Sequence, residues 1–199
     1  MKRNKMKKYN INIRAIFLIG FISLFLSGCL GVIVAGAATS GAVINDSRNM
    51  SEIESDTRIS HDVGIILTRN KKLNSSHIVV SSFYQMVFLG GEVPKASLRS
   101  YAESLTLKIP GVKRVYNQIT VGPNNSIKGQ AFDTWLTTKV KTSMLAKSGL
   151  RSGGFKVLSE KGVVFLMGEV SHDQANLAVD VTRRVDGVDR VVKLFKYTD

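Results

Sequence analysis

The chain has 199 residues, 44% of them hydrophobic, and its 28 Lys/Arg against 15 Asp/Glu give a formal charge of +13. Three prolines and that apolar share exclude a disordered chain, and a single cysteine excludes a disulfide framework. The length leaves room for one medium domain or two small ones.

In chain order, residues 1–28 come first, and they carry Lys2, Arg3, Lys5, Lys7, Lys8 and Arg14 with no acid. Residues 29–199 keep 22 Lys/Arg against 15 Asp/Glu, or +7, so nearly half of the basic excess belongs to the N-terminus. An apolar run over 15–26 follows the basic stretch, short for a membrane span but right for a signal-peptide core. It ends in Leu26-Ser27-Gly28-Cys29, which resembles the lipobox of bacterial lipoproteins. The resemblance implies a signal peptide over 1–28, cleavage before Cys29, a diacylglyceryl thioether on its sulfur and a third acyl chain on the new amino terminus. Several acyl chains make an effectively permanent anchor, since each buried methylene contributes about 0.8 kcal/mol. Residue 30 is Leu and not Asp, which by the sorting rule of these lipoproteins implies the outer membrane. Residues 29–55, rich in glycine and alanine with a turn-like 45–49, read as a tether.

Beyond the tether the chain repeats itself at about 77 residues. Asp56-Thr57 matches Asp133-Thr134, Val63 matches Val140, and Phe88-Leu89 with Gly91-Glu92-Val93 matches Phe165-Leu166 with Gly168-Glu169-Val170. After a one-residue slip, Gly111-Val112 and Arg114-Val115 match Gly187-Val188 and Arg190-Val191. Each copy predicts α-β-β-α-β. Asp56 and Asp133 are expected as N-caps of the first helices, with Ile59, Val63, Ile66 and Leu67, or Leu136, Val140 and Met144, at helical spacing. Strands follow over 78–82 and 86–93, then 155–158 and 163–170; Glu160-Lys161-Gly162 is a good hairpin turn and Phe83-Tyr84-Gln85 a poor one, its two aromatics suggesting a domain interface or a second contact point. The second helices start near Pro94 and at Ser171, where Ser171 and Gln174 suit a capping box. Last strands run over 112–121 and 188–197. The predicted fold is α+β: two tandem units, 56–121 and 130–199, each a three-stranded mixed sheet packed on two helices, with a linker over 122–129.

The Gly-Glu-Val ending of the second strand and the Gly-Val-x-Arg-Val of the third resemble the BON domain, and the lipobox, small-residue tether and paired units together look like the dual-BON lipoproteins. That resemblance covers the mature chain and implies a role without catalysis: facing the periplasm, binding anionic phospholipid (phosphatidylglycerol, or cardiolipin), supporting envelope integrity and gathering near the division site. It implies a lipid surface on the first helix of the second unit. If Leu136, Val140 and Met144 face the sheet, Trp135, Thr138, Lys139, Thr142 and Leu145 lie outward, with Lys141 available for phosphate. The first unit has Arg58, Asp62 and Gly64 where the second has Trp135, Lys139 and Lys141, so the copies should not be equivalent. An alternative is an adaptor for an envelope-assembly or division-site peptidoglycan-remodelling machine, with Trp135 as its contact residue. A third alternative has Trp135 packed on the first unit or in its own core.

No catalytic arrangement stands out. His61-Asp62 and His172-Asp173 are sequence neighbours, which point apart on a helix and have no nucleophile beside them. Three histidines and one cysteine offer no metal-ligand spacing, and no cofactor is expected. Glu92 and Glu169 recur within the repeat and read as structural. Nucleic acid is not expected as a partner of an exported chain.

Overall fold

The structure is a computed structural model that describes residues 46–199; the signal peptide, Cys29 and most of the tether lie outside the described residues. Helix α1 spans Met50–Thr68 and is followed by strands β1 (His77–Phe83) and β2 (Met86–Val93), helix α2 (Ala96–Thr106) and strands β3 (Arg114–Asn117) and β4 (Thr120–Val121). The second unit repeats the order with α3 (Ile127–Leu145), β5 (Lys156–Glu160), β6 (Val163–Val170), α4 (His172–Thr182) and β7 (Arg190–Tyr197). Both hairpins are antiparallel, and the crossover helix returns the last strand parallel to the middle one. Each sheet is thus mixed, and the fold class is as expected.

Four expectations need correction. The first helices begin well before Asp56 and Asp133. Asn49 caps α1 in a full capping box with Glu52, and Ser126 caps α3 through Gly129 N–H, so residues 50–55 are helix and not tether, and 127–129 are helix and not linker. Asp56 and Asp133 lie inside their helices, 2% and 5% exposed, and instead cap the hairpin turns. The Asp56 carboxylate accepts from Tyr84 N–H and Gln85 N–H at 2.8 Å each, from Ser82 Oγ and from Arg48 Nη1. Asp133 accepts from Lys161 N–H (2.8 Å), Gly162 N–H (3.1 Å) and Asn125 Nδ2 (2.9 Å). Helix amides are satisfied by their own turn, so a carboxylate one face away is free to serve an orphaned turn.

The first hairpin turn is also better made than its composition suggests. Tyr84 and Gln85 both take left-handed φ (52° and 62°), as Lys161 and Gly162 do (49° and 75°), the conformation of a two-residue primed turn. Asp56 compensates for the absent glycine. Third, the last strand of the first unit is broken. Asn117 Nδ2 donates to Arg99 O and Glu103 Oε2 while its Oδ1 accepts from Ile119 N–H, a local turn that ends β3 and drops Ile119 into the core. The equivalent β7 runs unbroken through eight residues. Ser171 caps α4 as expected, but Gln174 does not close the box; its side chain bridges Arg151 N–H and Gly149 O.

Each unit has its own core between its helices and one face of its sheet. Ile59, Val63, Leu67, Val87, Leu89, Ala102 and Leu105 form the first, and Leu136, Val140, Met144, Val164, Leu166, Ala178 and Phe195 centre the second. Strand side chains alternate, so β2, buried at all eight positions, presents Met86 and Phe88 on its other face. They meet Phe165, Met167 and Leu194, with Phe83 beside them, in a third buried cluster. The two sheets pack against each other, helices outermost. Phe88 and Phe165, equivalent in the repeat, touch with ring centroids 4.9 Å apart. Phe83 therefore belongs to the domain interface and Tyr84 packs at its rim. Among the described residues no helix is long and apolar enough to cross a membrane.

Candidate functional site

Helix α3 buries Leu136, Val140 and Met144, three positions four apart, against its own sheet. Its opposite face is largely exposed among the described residues. Trp135, Thr138, Thr142 and Leu145 lie there exposed, as expected, and Trp135 is neither in its own core nor among the residues of the domain interface. Ile127 at the helix start and Phe132 join them: Ile127 is 88% exposed, Trp135 49% and Leu145 54%. Exposed apolar side chains are ordinary singly, but α3 carries four, and Phe132 and Trp135 among them are in contact.

The threonines make this face less polar than their formula suggests. Thr134 Oγ1 donates to Gln130 O, Thr138 Oγ1 to Thr134 O and Thr142 Oγ1 to Thr138 O, at 2.9–3.1 Å. Each hydroxyl is spent on the helix's own carbonyl, leaving the methyl as the side chain's free group.

Trp135 is held, not loose. Its ring lies 5.5 Å from that of Phe132, and both pack over Gly187 in the loop after α4, where a Cβ would stand 3.1 Å from Phe132 Cζ and 3.4 Å from Trp135 Cζ3. Gly187 also has φ +94°, so glycine is favoured there twice over. Lys139 sits with its ammonium 4.8 Å from the Trp135 ring centroid and 3.3 Å from Asp186 Oδ2. It is half-buried and already paired, so it is a weaker phosphate ligand than its position in the sequence suggests. Lys141 is exposed on the opposite flank, toward Lys156, whose amine is lowered from its ordinary value by burial and by the charges of Lys141 and Arg48. Behind Lys139, a groove of about 370 Å³ between α3 and α4 is lined by Lys147, Arg184, Asp180 and Asp186.

Phe132, Ile127 and Gly187 were not singled out from sequence. Phe132 had a signal, since it precedes Trp135 by three residues and so shares its flank; Gly187 had only its place in the repeat. The matching face of α1 carries Arg58 and Asp62, and its Thr57 hydroxyl makes the same back-bond, to Ile53 O. The scaffold is shared but the apolar patch belongs to the second unit.

The histidines make contacts that adjacency did not foretell. His61 Nδ1 does reach Asp62 Oδ1 at 3.2 Å, in contrast to the expected divergence, but on an exposed face. His172 pairs with Asp199 at 2.7 Å and stacks on Tyr197 with centroids 3.9 Å apart, tying the C-terminus to the start of α4.

Comparison with protein families decides what this duplicated unit is: the model of the BON domain matches twice, over residues 55–123 and 132–199. The chain belongs to the BON-domain family. BON relatives include the outer membrane lipoprotein DolP of Haemophilus influenzae, 33% identical over 178 residues (89% of this chain, 92% of DolP). A 21 kDa hemolysin of Actinobacillus pleuropneumoniae is 32% identical over 76% of this chain and 79% of its own. Osmotically-inducible protein Y of Escherichia coli is 29% identical over 77% of this chain and 78% of its own. The structural repeat also extends further back than Asp56: Arg48 and Asn125, each eight residues before its aspartate, feed the two BON hairpin caps in the same way.

Proposed function

We propose that this chain is an outer-membrane lipoprotein, anchored through acylated Cys29 and facing the periplasm, that rests helix α3 of its second BON unit on anionic phospholipid such as phosphatidylglycerol or cardiolipin. The observation that carries the reading is the exposed stripe of Ile127, Trp135 and Leu145 with back-bonded threonines between them and lysines on both flanks. An apolar stripe with Trp seats at the headgroup boundary, while each nearby lysine contributes about 1 kcal/mol at an anionic surface. The acyl anchor makes the contact intramolecular, so a weak patch suffices. Its similarity to DolP over most of both chains supports the anchored, outer-membrane placement. In this reading the chain supports envelope integrity and gathers near the division site. No nucleic acid enters this reading.

Vesicle flotation of residues 46–199, which lack the anchor, tests it. The expected outcome is capture by phosphatidylglycerol vesicles and not by phosphatidylcholine, reduced by salt. Lys141→Glu, which reverses one exposed charge, should weaken capture by roughly thirtyfold, as expected of about 1 kcal/mol per charge over two charge steps. Capture by neither vesicle would remove the lipid reading and favour the adaptor alternative, in which Trp135 engages an envelope protein.

A further inference from the structure

The junction between the two units holds a cluster that the lipid reading does not use. His77 opens β1 and is the cross-strand partner of Glu92 on β2. Glu160 ends β5 of the other unit. One ligand-capable atom from each of the three lies within 4.8 Å of the others. Glu92 is fully buried, with the Lys161 ammonium as the partner of its Oε1, and His77 Nδ1, shielded from solvent, makes no hydrogen bond. The Lys161 ammonium stands 2.8 Å from Glu92 Oε1 in an ion pair, and also reaches Pro123 O at 3.3 Å.

The charges around this point do not balance. Glu92, Glu160 and Asp133 converge there, joined through Asn125, whose N–H donates to Glu92 Oε2 and whose Nδ2 donates to Glu160 Oε1 and Asp133 Oδ2. Among the described residues the Lys161 ammonium is paired with Glu92, and the His77 imidazole stands 3.7 Å from Glu92 Oε2. Burial raises Glu160 above its ordinary carboxylate range; the Asn125 hydrogen bond and the charge of His77 oppose this, and the charges of Glu92 and Asp133 add to it. A buried excess of negative charge is costly unless a cation compensates it.

We propose that His77, Glu92 and Glu160 form a zinc site that clamps the two BON units together. An imidazole nitrogen with carboxylate oxygens is a zinc donor set, whereas calcium and magnesium take oxygen alone. His77 Nδ1 and Glu92 Oε2 stand 3.7 Å apart, close to the edge of about 3.4 Å that a tetrahedron with zinc-length bonds requires. Glu160, half-exposed at a strand end, closes the remaining distance, and water takes the fourth position. Asn125 orients both carboxylates from behind, as outer-shell partners of zinc ligands do. The Lys161 ammonium holds the ion's place and swings to solvent when zinc enters. The site is independent of the lipid-facing helix and stands or falls without it.

The test uses the full chain in detergent in a Cys29→Ala background, which removes its one cysteine, stripped with chelator and titrated with zinc against a chromogenic competitor. A single zinc ion should bind per chain and raise the melting temperature, while calcium and magnesium leave it unchanged. His77→Ala and Glu160→Gln should each weaken zinc by roughly tenfold or more, since loss of even an outer-shell partner costs that much. Lys161→Asn, which keeps a residue tolerant of left-handed φ, should tighten it by vacating the competing cation. This last variant decides the matter if either of the others melts early. Absence of saturable zinc binding, equal affinity in the His77 and Glu160 variants, or no gain in Lys161→Asn would each overturn the proposal.

Discussion

Asp56 and Asp133 show how a single side chain can fix an element it does not belong to. Each projects from the middle of a helix and receives two consecutive N–H groups of a hairpin turn. Those amides sit at positive φ in bonds that are part-buried, or buried for Gly162 N–H, so without the carboxylate they would lose their partner. Asp133→Ala should therefore cost about 2–4 kcal/mol, the penalty for two orphaned donors, read as a shift in the urea midpoint. A loss no larger than that of an exposed substitution, such as Lys128→Ala, would mean that the turn holds itself. The same arithmetic explains why Asp-Thr recurs in the repeat. From sequence the pair looked like a helix start, because an aspartate before an apolar stripe is the usual N-cap pattern; burial of the carboxylate could not be seen in one dimension.

For the elements, what was legible followed periodicity. The order α-β-β-α-β, the middle strands and the inward faces of α1 and α3 rest on spacing of apolar residues, which the fold obeys. Helix starts were misplaced because Asn49 and Ser126 precede residues with weak apolar pattern. The break between β3 and β4 was invisible because it depends on Asn117 reaching Arg99 and Glu103 on α2. On α3 the outward set Trp135, Thr138, Thr142 and Leu145 could be read by subtraction from the buried face. Two features of that face could not. The threonine back-bonds lower its polarity, and the Asp186 carboxylate already engages Lys139. Both depend on atoms one turn or one loop away.

Across the whole molecule, the duplication does more than lengthen the chain. A unit of about 65 residues has a thin core, and here each sheet covers the face the other would leave wet, through Phe88, Met86, Phe165 and Met167. The hairpin tip that looked anomalous in sequence is part of this seam: Phe83 is 2% exposed within it and carries the Arg48 guanidinium 4.3 Å above its ring. Phe88→Ala should destabilise the protein by about 3–5 kcal/mol. In a double-mutant cycle with Phe165→Ala, the pair should show a coupling of about 0.5–1.5 kcal/mol, the value of an aromatic contact. Strictly additive losses would contradict packing of one sheet on the other. With the sheets committed to each other and the helices outermost, the outer face of α3 stays exposed among the described residues, and α1, with Arg58 where α3 has Trp135, does not share its apolar character.

Trp135 is the chain's one tryptophan, so quenching of its fluorescence by lipids brominated at known acyl depths reports this contact alone. With residues 46–199 and phosphatidylglycerol vesicles, the blue-shifted emission should be quenched most by shallow bromines, and not at all with phosphatidylcholine. Emission that stays unshifted and unquenched in both vesicles would contradict the claim that α3 of the second BON unit is the phospholipid-facing element.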